Sequence, residues 1–138
     1  MRHASLRPEL NDRYAAPYWA GLREGALRLP RCEACGHIQF PMGPCCANCL
    51  GETFRWDTMS GRGQVWSFVI YHHVFNPAFR DAVPYNVAVV KLEEGPKLIT
   101  NVVGIPNEAL RNGMSVQSVF DRIDDELTLL RFQPEAAA

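Results

Sequence analysis

All five cysteines fall within eighteen residues, as Cys32-x2-Cys35 and Cys45-Cys46-x2-Cys49. A C-x2-C turn points two sulfurs at one spot, and two such turns close a tetrahedral thiolate site. Ten residues, Gly36 to Cys45, separate the pairs, a span that suits a tight ribbon better than a long loop. The expected occupant is one structural zinc on Cys32, Cys35, Cys46 and Cys49. Iron is the rival, because four thiolates alone do not separate the two metals. Disulfides fit poorly: the cysteine count is odd and residues 1–8 lack the apolar stretch of a secretion signal. A redox C-x2-C pair would be expected once, near a βαβ pattern; here it occurs twice without one. Cys45 could replace Cys46 as a ligand, but a Cys45-x3-Cys49 spacing suits the turn less well, so Cys45 reads as a spare thiol. His37 reads as an exposed residue at the ribbon tip, since four thiolates already complete the site.

At 138 residues the chain allows one moderate core and a small appended module. No run approaches the ~18 apolar residues of a membrane helix. Free thiols and no export signal point to the cytoplasm. Net charge is −1, and from Ser60 onward seven Lys/Arg face nine Asp/Glu. A nucleic-acid binder would show a basic surplus, so such a partner is not expected.

Three modules follow in order: an N-terminal helical segment (1–30), a zinc ribbon (31–59) and a barrel (60–138). Residues 1 to about 11 read as a polar, mobile lead. Pro17 suits the first turn of a short helix, Tyr18, Trp19 and Leu22 form one apolar stripe, and Gly25 stops it. Eight or nine residues cannot hold a helix alone, so the stripe must dock, either on the chain's own body or on a partner. Residues 26–31, 37–41 and 52–56 read as the three short ribbon strands. Beyond Gly61-Arg62-Gly63 come five strand patterns at 64–75, 85–92, 97–103, 115–120 and 127–132, with one helical turn at 107–113. A mainly β chain with five strands and a helical insert between the third and fourth has the order of an OB-fold. Ala136-Ala137-Ala138 reads as an unstructured tail.

A nucleophile elbow, a phosphate loop and a dinucleotide fingerprint are missing. His72 and His73 are the conspicuous titratable pair; as neighbours on a strand they would point to opposite faces. Tyr71, His73, Phe75 and Phe79 are the candidate ligand-binding residues, offering an aromatic surface of the kind OB-folds present to bases. Core or interface roles are the rival reading. No set of acid, base and nucleophile assembles here, so the chain is not expected to turn over a substrate alone.

The chain resembles the two-module proteins that join a rubredoxin-like zinc ribbon to a C-terminal OB-fold, catalogued as the thirty-fifth family of domains of unknown function. The resemblance rests on Tyr18-Trp19 with Gly25, Arg31-Cys32-x2-Cys35-Gly36, Phe40-Pro41 and Cys46-x2-Cys49. It continues through Gly61-x-Gly63, Pro84-Tyr85, Glu94-Gly95-Pro96, Thr100-Asn101-x-Val103-Gly104, Gly113-Met114 and Leu130-Arg131-Phe132. It covers roughly residues 14 to 134. The chain departs from the pattern at Ala47, where proline is common, and at Leu50, where glycine is common; neither change removes a ligand. The resemblance implies a non-catalytic accessory subunit that docks on a thiolase-like enzyme and helps bind or channel acyl-CoA, in ketoacyl-CoA or steroid side-chain metabolism. It implies no catalytic residue. A single-stranded nucleic-acid module is the alternative function.

Overall fold

The structure, a computed structural model, describes residues 7–135. The expectations for residues 1–6 and for the alanine tail lie outside that range. Residues 7–11 are not the free lead that the sequence suggested. The Arg7 guanidinium pairs with Asp124 and lies 3.8 Å from Glu126, across the turn between the last two strands.

Helix α1 (Ala16–Arg23) begins where Asp12 Oδ2 accepts the backbone N–H groups of Tyr14 and Ala15, with Pro17 in the first turn. It ends in a Schellman arrangement: Ala26 N–H reaches Gly21 O, Gly25 N–H reaches Leu22 O, and Gly25 takes φ 77°. Tyr18 and Leu22 are buried, with 7% and 1% of their surface exposed. The apolar stripe therefore docks on the chain's own body and is not a surface kept for a partner. Tyr18 packs against Trp19 and Phe40, and Leu22 joins the barrel residues in one continuous core.

Strands β1 (Arg28–Cys32) and β2 (Phe54–Thr58) pair antiparallel and frame the ribbon. The expected third ribbon strand at 37–41 is reduced to one bridge, Ile38 to Arg31. Gln39 turns inward there instead and hydrogen-bonds the second cysteine turn, as described below.

The barrel strands are β3 (Arg62–Tyr71), β4 (Tyr85–Leu92), β5 (Lys97–Thr100), β6 (Ser115–Arg122) and β7 (Thr128–Pro134). Their order is β5-β4-β3-β6-β7, all antiparallel. The sheet curls, and a parallel bridge between Val102 and Phe132 joins its ends. Five strands with this order and a short 3-10 turn (Asn107–Ala109) between β5 and β6 are consistent with an OB-fold. Val65, Ala88, Val90, Leu92, Leu98, Val116 and Phe132 fill the interior, each at most 1% exposed. β3 coils from β6 onto β4, and Gly63 sits at the transition. A Cβ there would come within 2.5 Å of Lys91 O, so the close strand approach requires glycine.

Two strands stop earlier than their apolar runs suggested. β3 ends at Tyr71, before a loop capped by the Asn76 side chain and a 3-10 turn at Pro77–Phe79. β5 ends at Thr100 because the Asn86 side chain takes over as partner. Its Oδ1 accepts Val102 N–H at 2.7 Å and its Nδ2 donates to Val102 O at 2.8 Å.

Candidate functional site

The two cysteine turns are built alike. Cys32 N–H donates to His37 O and Cys46 N–H donates to Gly51 O; Gly36 N–H donates to Cys32 O and Leu50 N–H donates to Cys46 O. The residue after each second cysteine lies in the left-handed region, Gly36 at φ 80° and Leu50 at φ 66°. This geometry turns the sulfurs of Cys32, Cys35, Cys46 and Cys49 inward, all within 4.8 Å of one another. Across the turns, Cys32 and Cys49 Sγ are 3.5 Å apart, and Cys35 and Cys46 Sγ are 3.7 Å apart. A tetrahedron with Zn–S near ~2.3 Å has sulfur edges of about 3.8 Å, so the four residues fit zinc. Cys45 Sγ is not in the cluster.

The close approach of the sulfurs pulls Cys35 and Cys49 in opposite directions. Cys35 is drawn down to about 6, first by the Asn48 amide and then by the backbone at His37. Cys49 receives the Gly51 N–H, which lowers it, yet the neighbouring thiols of Cys32 and Cys35 push it up to about 12. Backbone N–H groups already aim at the sulfurs, from Asn48 to Cys46 at 3.3 Å and from Gly51 to Cys49 at 3.4 Å. These donors support thiolate charge on the sulfurs. Gly51 also has to be small, because a Cβ would lie 3.3 Å from both Cys32 and Cys49 Sγ.

Gln39 was not singled out by the sequence. It is 7% exposed, its Oε1 accepts Ala47 N–H at 2.9 Å and its Nε2 donates to Cys45 O at 3.3 Å. One side chain thus holds both residues that flank Cys46. A glutamine among apolar residues just after a C-x2-C turn was the available signal.

At one end of the barrel a cleft of about 580 Å³ opens, within the usual range of small-molecule sites. Tyr85, Val103, Phe120, Asp121, Arg122 and Arg131 are among its walls. Arg131 is 8% exposed and bridges Asp121, 2.8 Å from Nε, and Asn101 Oδ1, 2.6 Å from Nη1. Asn101 in turn donates to Asn86 O. The polar floor is a closed network in which the charge of Arg131 is met by Asp121. Among the described residues, no Ser, Cys, His or Lys lines this cleft.

Tyr71, His73, Phe75 and Phe79 do come together, but outside the cleft. Tyr71 stacks on Tyr85 with centroids 5.3 Å apart, Phe75 meets Tyr71 at 6.3 Å and His73 at 4.6 Å, and Phe79 lies 5.8 Å from Tyr85. Tyr85 also lines the cleft, so it joins the two features. His72 and His73 lie past the end of β3 in the loop, both exposed, so the alternation of a strand does not govern them. His37 is exposed beside the first cysteine turn.

Known proteins share this plan. Residues 19–55 match the family model "ChsH2, rubredoxin-like zinc ribbon domain", and residues 56–121 match "ChsH2, C-terminal OB-fold domain". A DUF35 domain-containing scaffold protein of Methanocaldococcus jannaschii is 31% identical, the alignment covering 85% of this chain and 84% of the relative. A probable enoyl-CoA hydratase alpha subunit of Thermomonospora curvata is 42% identical over 93% of this chain but only 39% of its own length. The benzoylsuccinyl-CoA thiolase subunit BbsA of Thauera aromatica is 30% identical over 66% of this chain and 56% of its own. This chain therefore spans about two fifths of the first of these enzyme subunits and little more than half of the second. In solved structures, a chain of the Ltp2-ChsH2(DUF35) aldolase superposes with a TM-score of 0.82 at 38% identity, over 93% of this chain and 98% of that one. The chain belongs to the DUF35 family, in which a rubredoxin-like zinc ribbon precedes an OB-fold.

Proposed function

We propose that this chain is a non-catalytic accessory subunit of a thiolase-superfamily enzyme and helps bind or channel that enzyme's acyl-CoA. The observation that carries this reading is the superposition of almost the whole chain on a chain of the Ltp2-ChsH2(DUF35) aldolase. The names of the hydratase and thiolase subunits among the relatives support it. So does the chemistry of the cleft, whose walls among the described residues hold no Ser, Cys, His or Lys and whose Asp121 is engaged with Arg131.

Cys32, Cys35, Cys46 and Cys49 hold a structural zinc in this reading and take no part in turnover. The acyl-CoA lies at the shared interface, along the cleft and the cluster of Tyr71, His73, Phe75 and Phe79. The nucleophile and bases belong to the partner. The compartment is the cytoplasm, where thiols stay reduced; no helix among the described residues is long and apolar enough to cross a membrane.

The test is co-expression with the thiolase-like protein encoded beside this chain in its native host. The expected result is a stable hetero-oligomer, with acyl-CoA turnover by the mixture and none by this chain alone. Failure to associate, or full activity of the partner without this chain, would overturn the proposal.

A further inference from the structure

The solvent side of an antiparallel sheet ordinarily carries polar residues. The outer side of β3, β4 and β5 does not. In the register of these strands, Ser67 faces Val89, Val69 faces Val87, Tyr71 faces Tyr85, Val89 faces Ile99 and Lys91 faces Lys97. The inward set (Val65, Ala88, Val90, Leu92, Leu98) is buried, so the alternate set faces out. A register shift between Val65 and Ser67 leaves Trp66 exposed as well. Among the described residues six large hydrophobics are exposed: Ile99 (73%), Trp66 (54%), Val69 (52%) and Tyr71 (37%) lie on this face, Phe75 (77%) adjoins it through Tyr71, and Leu50 lies elsewhere. An apolar surface gathered on one face marks an interface.

The charges on this face decide what covers it. Lys97 Nζ lies 4.0 Å and Lys91 Nζ 5.2 Å from the centre of the Trp66 ring. Neither lysine has a carboxylate partner among the described residues. The outward positions from 64 to 71, 85 to 91 and 97 to 99 contain no Asp or Glu. Glu93, the next exposed residue after Lys91 at the edge of this face, is held by Arg62 at 3.1 Å, so a second copy laid on this face would bring lysines and no unpaired acid. A nucleic acid would find two unpaired cations, since Arg62 is engaged with Glu93, too few for a strand-long phosphate track. A different protein with an apolar ridge and an acidic group satisfies both ends.

We propose that the outer face of β3–β4–β5, from Trp66, Lys91 and Lys97 to Tyr71 and Phe75, receives the partner subunit, and that the partner sets an acidic group against the two lysines. This rests on the accessory-subunit reading and names the surface that reading requires. Tyr18 and Leu22 of α1 are taken up by the chain's own core, and the ribbon tip at Leu50 is not part of the interface.

The test uses full chains and measures the dissociation constant of the complex. The variants are Val69→Asp, Ile99→Asp, the double charge reversal Lys91→Glu/Lys97→Glu, and Leu50→Asp. Zinc content and circular dichroism confirm each fold, and Ile99→Thr with Val69→Thr repeats the measurement if an aspartate disturbs the sheet. Either apolar-face substitution should weaken the complex at least about tenfold. The lysine reversal should slow association and remove most of its salt dependence, whereas Leu50→Asp should stay within about twofold of wild type. Unchanged affinity for the face variants, with the complex intact, would overturn this assignment alone. Absence of any complex with the wild-type chain would overturn the accessory-subunit reading and this one with it. A self-dimer dissolved by Ile99→Asp, or oligothymidine binding lost in the lysine reversal, would give the face to another occupant and overturn the proposal.

Discussion

Leu50 stands at φ 66°, a backbone region that costs an L-residue with a Cβ roughly 1–2 kcal/mol. Its counterpart in the first turn is Gly36, which enters the same region freely. Leu50 is 73% exposed, so its side chain returns little packing for that strain. Leu50→Gly should stabilise the folded chain by about 0.5–1 kcal/mol, after allowing for the larger freedom of glycine in the unfolded state. Denaturant melts of zinc-loaded protein would measure this, and a destabilised variant would show that Leu50 makes contacts worth more than the strain. Cys45 and Cys46 give a second test at this scale. Cys45→Ser should keep one zinc per chain, whereas Cys46→Ser should lose tight binding; the opposite pattern would move the ligand by one residue. The clustering of Cys32, Cys35, Cys46 and Cys49 was legible because two-residue spacing fixes where sulfurs point. Gln39 and Gly51 were not, because their roles depend on a backbone brought close only by folding.

At the scale of elements, α1 shows what an eight-residue apolar stripe can and cannot say. Its start at Pro17 and stop at Gly25 were readable from local chemistry. What covers it was not, since burial is set by elements distant in the chain: β1, β6 and β7 close over Tyr18 and Leu22. Burial pushes the Tyr18 phenol from its ordinary 10 up to about 12. The folded chain therefore holds this proton more tightly than the unfolded chain. The associated stability is intact below pH about 10 and is lost as pH rises through about 12. Tyr18→Phe should make unfolding less steeply dependent on pH in that window, as followed by circular dichroism. An identical alkaline profile would show that Tyr18 does not control it. Strand ends follow the same logic: β4 was read to the residue, while β5 was overextended, because the Asn86 side chain intervenes at Val102.

For the whole molecule, the central question is how far the metal reaches. Leu27 and Leu29 belong to the same core cluster as Val65, Leu98 and Phe132, so β1 is anchored from the barrel side. Residues beyond it depend on the thiolate cluster. Chelation should therefore release amide protection first in residues 31 to 56 and leave β3, β4, β6 and β7 protected, as read by hydrogen exchange. Simultaneous loss in the barrel would mean that zinc supports the entire fold. The strand order could be anticipated from five β patterns and one insert. The apolar outer face could not, because alternation shows which residues share a side and only the folded sheet shows which side is left uncovered.

The position of Trp66 has an optical consequence. Of the three tryptophans, Trp19 and Trp56 are partly buried against the core, whereas Trp66 lies open beneath two ammonium groups. Iodide, drawn in by those charges, should quench this indole well ahead of the other two. Intrinsic fluorescence can then follow occupation of the barrel face in unlabelled protein.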